Sequence, residues 1–403
     1  MNQYTGYEKI LLKQLLELKE TTKPVVLFGV KVTGLMCKRA LDFLNIKAEC
    51  FCDNDKTKQN TIIANIPVLS PEQVKERYPD AIIYLCLLSN ENMRQVKAQF
   101  SNLGFADIYN KDVLMYVFQT EVLRRPINST QLADTMYYLN NEEDRVTFKG
   151  IGAFITEKCN MRCKNCGYFI PYYKNPKHLD KNTIIKSIER LSKAVDAIAM
   201  LTILGGETLL YPQNDLIEIC EYAYKLPNIL LVRIVTNARI VPNDEMLTML
   251  KNSLTHINFS DYEELSTKKE ELKQKLDQHN IMYDISEQGT VWYPLEPPKK
   301  KNRTNEENLK LFQACCIEKD ILHNGGLHLC EYSVVTLAQG KIDVNDNGYV
   351  NLIDNTITID DLRNKIRRYI KNEKSISACD YCGYRFDQRV PRAEQTKQTL
   401  EWS

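Results

Sequence analysis

Three cysteines near the middle of the chain have the clearest capacity for chemistry. Cys159, Cys163 and Cys166 lie at C-x3-C-x2-C spacing. Cysteine thiolates are the soft ligands that iron–sulfur clusters take, and three of them can hold one face of a 4Fe-4S cube. The remaining iron then has no protein ligand and can bind a substrate or a cofactor. A zinc site that lacks one ligand and a chance grouping of thiols are the alternatives.

A glycine pair followed by an acidic residue, Gly205-Gly206-Glu207, forms a second motif. Adjacent glycines let the backbone approach a ligand closely, because neither carries a Cβ atom. The carboxylate of Glu207 can accept hydrogen bonds from an ammonium group. The motif is weak alone and gains weight from its position directly after a predicted strand.

A second group of cysteines lies in the C-terminal part of the chain: Cys315, Cys316, Cys330, Cys379 and Cys382. Cysteines at such spacing bind either an iron–sulfur cluster or a structural zinc ion. The chain has 13 cysteines in all. In a reducing compartment such a number indicates metal or redox chemistry rather than disulfides.

The charge and hydropathy of the chain exclude several classes of partner. Lys and Arg number 53 and Asp and Glu 52, for a formal net charge of +1, so nothing in the composition calls for nucleic acid. The first residues have no apolar signal-peptide core, and no apolar run approaches the ~18 residues of a membrane span. We therefore expect a cytoplasmic protein with neither a nucleic-acid nor a membrane partner.

The residues up to about 120 predict a parallel α/β domain. A helical pattern over 7–20 precedes short apolar strands at 24–28, 48–52 and 81–88. Strands that alternate with helices are typical of parallel sheets. Residues 121–149 are polar and are predicted to be a linker with some helix.

A second alternating region spans residues 150–296. Its predicted strands are 152–156, 200–204, 230–236, 256–260 and 281–285. Repeated strands with short crossover helices build a βα barrel or partial barrel, whose reactive end is the rim at the carboxyl ends of the strands. The three cysteines follow the first strand and the glycine pair follows the second, so both motifs belong to this rim. Residues 297–403 break the pattern and form a smaller, irregular domain.

The cysteine loop after the first strand and the Gly-Gly-Glu segment after the second resemble the signature of the radical S-adenosylmethionine (radical SAM) superfamily. The resemblance implies a partial (β/α)6 barrel that holds one 4Fe-4S cluster through Cys159, Cys163 and Cys166. It also implies that the open iron binds S-adenosyl-L-methionine (SAM), whose cleavage gives a 5′-deoxyadenosyl radical that takes a hydrogen atom from the substrate. By the same resemblance, residues 205–207 hold the methionine amino group.

Three further residues are assigned to SAM by this resemblance. Asn237 lies in a segment similar to the end of the family's third strand, and Ser260 follows the fourth strand at a position of ribose or carboxylate contact. Many members have an aromatic residue directly before the third cysteine, where this chain has Asn165. Tyr168, just past the cysteine loop, is therefore expected to cover the adenine instead.

The C-terminal cysteines resemble the auxiliary-cluster domain of SPASM/Twitch-type radical SAM proteins. No cysteine follows Cys382, which indicates the shorter Twitch form with one auxiliary 4Fe-4S cluster. The four expected ligands are Cys315, Cys330, Cys379 and Cys382, with Cys316 as an alternative to Cys315. We assign Cys316 as the candidate catalytic hydrogen-atom donor, with simple packing as the alternative.

The N-terminal domain resembles a Rossmann-like nucleotide-binding unit. Gly29 and Gly34 follow the first strand and Asp53 follows the second, as in the strand–turn–helix–strand–acid layout of that fold. Lys31 replaces the second glycine of the usual fingerprint and crowds a dinucleotide. The domain is expected either to bind a phosphate or a nucleotide, or to serve structure and docking.

Together these resemblances imply an enzyme that abstracts hydrogen from a carbohydrate-type small molecule, free or linked to a nucleotide or phosphate. The chain also looks like uncharacterised members associated with carbohydrate and surface-glycan genes. Oxidation by a dehydrogenase and inversion by an epimerase are both open outcomes, and flavodoxin or ferredoxin is the expected electron donor. A peptide-modifying radical SAM maturase is the main alternative, and a zinc-stabilised binding protein is the other.

Overall fold

The protein folds into two compact units, Met1–Glu143 and Asp144–Ser403. The computed structural model describes residues 6–141, 145–253, 256–286, 292–315, 320–397 and 400. Both units combine helices with a largely parallel sheet, so the predicted α/β fold class is confirmed.

The first unit is built on a six-stranded sheet. Its strands are β1 (Val25–Phe28), β2 (Ala48–Cys52), β3 (Ile62–Ile63), β4 (Ile66–Leu69), β5 (Ile82–Leu85) and β6 (Ile108–Asn110). Its helices are α1 (Tyr7–Glu20), α2 (Val32–Phe43), α3 (Pro71–Arg77), α4 (Asn90–Asn102), α5 (Asp112–Val117) and α6 (Ser129–Asn140), with a π-helix at Phe118–Val122. The strand order is β3-β4-β2-β1-β5-β6, and only the β3–β4 pair is antiparallel.

The central strands of this sheet are buried because they are apolar along most of their length. Every residue of β1 and of β5 is buried, as expected for a parallel sheet covered on both faces. The turn after β1 brings α2 very close to the strand, since a Cβ on Gly34 would lie 1.9 Å from the carbonyl oxygen of Gly29. Gly34 therefore serves the packing of helix against strand.

The second unit is built on a larger sheet. Its strands are β7 (Thr147–Phe148), β8 (Ile151–Phe154), β9 (Ala197–Leu204), β10 (Ile229–Thr236), β11 (His256–Ser260), β12 (Tyr283–Ser286), β13 (Ile321–His323), β14 (Gly326–His328) and β15 (Tyr349–Asn351). Its α-helices are α7 (Lys181–Ala194), α8 (Gln213–Tyr224), α9 (Asp244–Ser253), α10 (Lys269–Gln278), α11 (Asn305–Ala314), α12 (Glu331–Ala338) and α13 (Ile359–Ile370).

Parallel strands β8 to β12 form the centre of this sheet, and each of α7, α8, α9 and α10 lies between one of these strands and the next. The sheet runs in the order β12-β11-β10-β9-β8-β13-β14-β15. Strand β13 adds to β8 in parallel, with Ile321 opposite Gly152. The sheet agrees with a partial barrel, except that the strand beside β8 comes from the C-terminal region. The carboxyl ends of β8 and β9 lead into the cysteine loop and the glycine pair.

Helix α7 shows how the sequence sets a helix against this sheet. Asp180 caps its N-terminus, since Oδ2 accepts a hydrogen bond from the backbone N–H of Thr183 at 2.8 Å. Ile184, Ile188 and Leu191 are buried on one face, at the spacing of an amphipathic helix. Both the cap and the apolar face follow from the residue types and their spacing along the chain.

The compact units and the predicted domain boundaries fall at different places. Residues 121–149, predicted as a linker with some helix, contain α6, which packs on α1 within the first unit. The boundary predicted near residue 297 lies inside the second unit, because β13 beyond it pairs with β8 before it. The described helices include none with the length and apolar character that crossing a bilayer requires.

A buried histidine lies in the core of the second unit at the start of β11. His256 is fully buried, and burial lowers its pKa to about 4, against the opposing attraction of Asp284. Oδ1 of Asp284 lies 3.3 Å from Nε2 of His256, but the pair lacks hydrogen-bond geometry. The imidazole is therefore neutral in the folded protein at neutral pH. Burial likewise lowers the pKa of His328 to about 3.

We expect the second unit to lose stability as the pH falls from about 7 to about 5. The unfolded chain takes up a proton at each histidine near pH 6.5, whereas folded His256 does so only near pH 4. Because the unfolded state binds more protons in this window, each such histidine lowers the free energy of unfolding by roughly 2 kcal/mol at pH 5. Urea unfolding followed by tryptophan fluorescence reports on this unit, since Trp292 lies in it and the sequence of the first unit contains no tryptophan.

The variant His256→Leu removes one of these buried titratable imidazoles and replaces it with an apolar side chain of similar size. The difference in unfolding free energy between pH 7 and pH 5 should shrink by roughly 2 kcal/mol in this variant. An unchanged difference would show that His256 does not contribute to the acid sensitivity.

Candidate active site

The residues assigned to the first cluster and to SAM meet in one cleft at the rim of the second unit's sheet. The cleft opens to solvent and contains about 1590 Å³ of space free of protein atoms. Its lining includes Cys159, Cys163, Cys166, Tyr168, Gly205, Gly206, Glu207, Asn237 and Ser260. These residues follow β8, β9 and β10 or end β11, so the parallel sheet is what brings them together.

The glycine pair positions the cysteine loop through close backbone packing. A Cβ on Gly205 would lie 2.6 Å from the carbonyl oxygen of Thr156, and one on Gly206 would lie 2.4 Å from that of Lys158. The N–H of Gly206 donates to Thr156 at 2.7 Å, and the N–H of Glu207 donates to Lys158 at 2.8 Å. The glycines thus let two loops approach each other, a structural role beside the ligand contact predicted for them.

Glu207 joins the ends of β9 and β10 through its buried carboxylate. Oε1 accepts hydrogen bonds from the N–H of Leu209 at 3.0 Å and from the hydroxyl of Thr236 at 2.7 Å. Oε2 accepts one from the N–H of Asn237 at 2.8 Å. Burial raises the pKa of Glu207, while these donors lower it. The bonds described here use one of the two acceptor directions of Oε2, and the other suits an ammonium group.

Asn237 connects the end of β10 to the cysteine loop. Its Nδ2 donates to Oδ1 of Asn160 at 2.7 Å and lies 3.9 Å from Sγ of Cys159. Its Oδ1 accepts a hydrogen bond from the N–H of Arg239 at 3.1 Å. The residue therefore holds the loop in place as well as lining the cleft.

The three loop cysteines pack together among apolar side chains. Cys159 and Cys166 contact a buried group that contains Cys163, Met161 and Ala393. Burial raises the pKa of Cys159 and of Cys163 to about 12. Three soft donors, one buried and two half-buried beside a large cleft, fit an iron–sulfur cluster with one open iron.

Tyr168 and Ser260 are held at the rim of the cleft by contacts within the chain. The ring of Tyr168 packs on that of Phe154, with centroids 5.1 Å apart. The carbonyl oxygen of Ser260 accepts a hydrogen bond from the hydroxyl of Ser266 at 3.1 Å. Their contacts with adenine and ribose stay predictions.

A polar layer on the strands themselves was not found from the sequence. Thr202, Arg233, Asn258 and Ser286 come from the neighbouring strands β9 to β12 and line the cleft. Oδ1 of Asn258 accepts a hydrogen bond from the hydroxyl of Ser286 at 3.1 Å. The signal was available in the strand sequence ILLVRIVT, where Arg233 is the single charged residue in an apolar run.

A C-terminal segment also lies against the cysteine loop. Gln395 pairs with Cys163 as an isolated antiparallel bridge. The N–H of Thr396 donates to the carbonyl oxygen of Arg162 at 2.8 Å. Cys163 and Gln395 are separated by 232 positions, so no local sequence pattern could have revealed this contact.

A second cavity brings together four of the C-terminal cysteines. Cys315, Cys330, Cys379 and Cys382 line it, and it contains about 460 Å³ of space free of protein atoms. Burial raises the pKa of Cys379 to about 11 and that of Cys382 to about 12. Much of the remaining wall is apolar: Leu311, Phe312, Leu329, Ile376, Ala378 and Phe386. The donor set suits an iron–sulfur cluster, and its role as ligand stays a prediction.

Arg303 holds the C-x2-C turn of this second cavity. Nη1 donates to the carbonyl oxygen of Cys379 at 2.9 Å, and Nη2 donates to that of Cys382 at 3.1 Å. Its backbone N–H donates to Oδ1 of Asp380 at 2.7 Å. The guanidinium therefore fixes the spacing of the two cysteines by binding both carbonyl groups at once.

Cys316 lies outside the described residues, so its assignment as hydrogen-atom donor stays a prediction. Within the described ranges, no three His, Cys, Asp or Glu side chains converge as ligands of a single metal ion do. A zinc ion binds its thiolates at about 2.3 Å from one centre, whereas a 4Fe-4S cluster binds each thiolate through a different iron.

In the first unit, the predicted nucleotide fingerprint makes contacts within the chain. Oδ2 of Asp53 accepts a hydrogen bond from the N–H of Val30 at 3.4 Å. Oδ1 accepts one from the N–H of Asp55 at 3.0 Å, and Nζ of Lys58 lies 3.8 Å from Oδ2. The carboxylate thus connects the turn after β1 with the loop after β2. Binding of a nucleotide or phosphate by this unit stays a prediction.

Comparison with solved structures gives matches to parts of the chain. BtrN in complex with AdoMet and 2-DOIA has a TM-score of 0.38 and 15% identity, over 63% of this chain and 98% of that chain. The protein anSMEcpe with bound AdoMet has a TM-score of 0.28 and 14% identity, over 34% of this chain and 41% of that chain. HydG, a maturase of the FeFe hydrogenase, has a TM-score of 0.28 and 13% identity, over 49% and 46%. The match spans less than half the length of the last two proteins.

We expect Gly206→Ala to displace the cysteine loop. The new Cβ would lie 2.4 Å from the carbonyl oxygen of Lys158 and 3.0 Å from Cβ of Cys159, and such overpacking costs roughly 1–3 kcal/mol. The control Gly150→Ala adds a Cβ whose nearest neighbour is 4.0 Å away. Iron per chain after anaerobic reconstitution should fall in the first variant and stay at the wild-type level in the second. Full iron content in Gly206→Ala would show that the loops do not need this contact.

Family models match one segment in each unit. Residues 2–108 match the C-methyltransferase C-terminal domain. Residues 154–260 match the Radical SAM superfamily, and no curated protein matches the chain. The second segment begins in β8 and ends at Ser260, so it contains the cysteine loop, the glycine pair and Asn237. Residues 154–260 of the chain therefore carry a radical SAM domain.

Proposed function

We propose that this radical SAM enzyme uses two 4Fe-4S clusters to oxidise or epimerise a carbohydrate-type substrate. The cysteine loop would hold the first cluster, and the four cysteines of the second cavity would hold an auxiliary one. SAM, when bound at the first cluster, would supply the radical that abstracts a hydrogen atom from the substrate. Flavodoxin or ferredoxin is the class of electron donor that this chemistry needs.

The observation that carries the proposal is that the two cysteine sites adjoin at one residue. Tyr384 lines both the cleft of the first site and the cavity of the second. A Cβ built on Gly167, next to Cys166, would lie 3.4 Å from the hydroxyl of Tyr384. A substrate in the cleft would thus be separated from the auxiliary site by little more than one side chain. Such a short separation suits passage of an electron from substrate to auxiliary site.

The residues around the cleft bind and orient SAM in this proposal. The second acceptor direction of Oε2 in Glu207 would take the methionine ammonium, while the other bonds of the carboxylate keep it in place. Asn237 keeps the cysteine loop at a fixed position through Asn160. Tyr168 and Ser260 would contact the adenosine part at the rim.

The polar layer on the strands supports a substrate that carries hydroxyl groups. Thr202, Asn258 and Ser286 offer hydroxyl and amide groups to the cleft, and such groups pair with sugar hydroxyls. Arg233 adds a planar cation, which suits a phosphate or a carboxylate. Trp292 and Tyr293 add apolar ring surface to the wall. A sugar linked to a phosphate would use all of these groups, which favours it over an apolar substrate.

Oxidation and epimerisation place different demands on the second site. In oxidation, a substrate radical at a carbon that bears a hydroxyl group loses one electron to the auxiliary cluster and one proton to a base, and becomes a ketone. In epimerisation, a thiol returns a hydrogen atom to the opposite face of the carbon, and the thiyl radical left behind takes up one electron, supplied through the auxiliary cluster by the external donor, and one proton. Cys316, which follows Cys315 in the sequence, is the candidate for that thiol. The choice between a ketone product and an epimer would therefore depend on Cys316.

Cys163→Ala is expected to abolish cleavage of SAM. Two thiolates cannot hold the three ligand positions of a cluster that keeps one iron open. The measurement is the yield of 5′-deoxyadenosine after reduction with dithionite or flavodoxin. A yield equal to that of the wild type would refute the assignment of the cysteine loop.

Cys382→Ala is expected to keep SAM cleavage and to lose product. Iron per chain should fall by about four, the content of one cluster. The control is Cys220→Ala, because Cys220 is buried in α8 and lines neither cysteine site. Product is measured with phosphorylated and nucleotide-linked sugars, and with peptides to test the alternative substrate class. Unchanged iron and product in Cys382→Ala would remove the auxiliary cluster from the mechanism.

A further inference from the structure

We propose that Gln395 is a positioning residue that raises the reduction potential of the first cluster through a hydrogen bond to one of its cysteine ligands. This inference rests on the cluster assignment in the proposed function. Nε2 of Gln395 donates to Sγ of Cys163 at a distance of 3.2 Å. An amide N–H directed at a ligand sulfur stabilises the more negative, reduced cluster and so raises its potential.

The other contacts of the same side chain fix which of its atoms faces the sulfur. Oε1 accepts a hydrogen bond from the backbone N–H of Arg162 at 2.8 Å, a group that can only donate. Nε2 also donates to the carbonyl oxygen of Ala393 at 2.6 Å. A flipped amide would place its nitrogen against a donor and its oxygen against that carbonyl. The orientation with one N–H directed at Cys163 is therefore the one that satisfies every partner.

Backbone hydrogen bonds anchor Gln395 to the cysteine loop on both sides. The N–H of Lys164 donates to the carbonyl oxygen of Glu394, and the N–H of Thr396 donates to that of Arg162, both at 2.8 Å. This pairing fixes the position of Gln395 relative to the loop. The hydrogen bond to sulfur is thus preorganised before a cluster binds.

Ala393 shows that the chain is placed here with some strain. It is fully buried in the group that contains Met161 and Cys163, and its φ is +54°. Residues with a Cβ adopt this left-handed conformation only at a cost. The packing of the segment on the cysteine loop offsets that cost.

The bond from Gln395 differs in origin from the backbone bond that the sulfur of Cys159 accepts, and it is shorter than the 3.9 Å approach of Asn237 Nδ2 to that same sulfur. Sγ of Cys159 accepts a hydrogen bond from the backbone N–H of Met161 at 3.4 Å, which belongs to the loop itself. Gln395 is a side chain from a distant segment, so substitution can remove its bond and leave the loop sequence intact. The contribution of this one bond to the potential can therefore be measured.

The test is a redox titration of the reconstituted full chain, monitored by electron paramagnetic resonance with and without SAM. The signal that changes on addition of SAM identifies the first cluster. Gln395→Glu keeps an oxygen for the N–H of Arg162 and removes the donor to sulfur, whereas Gln395→Leu removes both. Glu394→Gln is the matched control, because it removes only the ion pair with Lys164 and leaves the backbone pairing.

Both Gln395 variants should lower the ratio of reduced to oxidised cluster roughly tenfold at a fixed potential, a shift of about 59 mV for a one-electron couple. Glu394→Gln should keep the wild-type potential. A wild-type potential in both Gln395 variants would overturn the inference, as would an equal shift in Glu394→Gln. Loss of iron in both Gln395 variants, with iron retained in Glu394→Gln, would give Gln395 a purely structural role and also overturn it.

The proposed function and the role of Gln395 are overturned by different results. A wild-type chain with no signal that responds to SAM would overturn the proposed function, and this inference with it. A signal that responds to SAM but whose potential ignores Gln395 would overturn this inference alone.

Discussion

The close contact between the glycine pair and the cysteine loop is the constraint on which the rest of the site depends. The backbone at Gly205 and Gly206 lies so near the segment 156–159 that a Cβ at either position would meet a carbonyl oxygen at 2.6 Å or less. Once the two loops are in contact, Glu207 is buried and must find donors, which it takes from the ends of β9 and β10. A buried carboxylate without such donors would be costly. The close fit of the glycine pair against the cysteine loop buries Glu207, and the hydrogen bonds of Glu207 then join the ends of β9 and β10. Together these contacts fix the position of the three thiols.

The sequence predicted the parts of this arrangement that depend on local pattern. Strand β11 and helix α1 have the predicted bounds. In α1, Leu11 and Leu18 are buried, and burial of one face imposes a helical period that the residues display. The convergence of nine predicted residues on one cleft follows from parallel strands whose carboxyl ends share a rim.

The features that could not be predicted from the sequence all depend on contacts between residues far apart in the chain. Gln395 reaches the cysteine loop, Arg303 binds the C-x2-C turn, and β13 joins β8, and none of these contacts leaves a periodic signal in the chain.

The pairing of β13 with β8 has a consequence for the relation of the two cysteine sites. Strand β8 leads directly into the cysteine loop, and β13 leads through the β14 strand to Cys330. Neighbouring strands are held about 4.8 Å apart by backbone hydrogen bonds. The two sites are therefore tied to adjacent strands of one sheet, and a hinge between a barrel domain and a separate C-terminal domain would break that sheet. The short separation at Tyr384 is a property of the fold, not of a docking event.

The electrostatic surroundings of the two sites differ in a way that suits different tasks. Burial alone disfavours negative charge on every thiol, and it would equally disfavour the added charge of a reduced cluster. At the first site this cost is countered by the amide of Gln395 and by the positive charge of Arg239, both of which lower the pKa of Cys163. At the second site the positive charge of Arg303 likewise lowers the pKa of Cys379 and of Cys382, but the surrounding wall is largely apolar.

The first site also opens onto a cleft lined by polar groups, so a charged cofactor bound there would change the potential of the first cluster directly. The wall of the second cavity lacks such a polar lining, so the surrounding protein would set most of the potential of a cluster bound there.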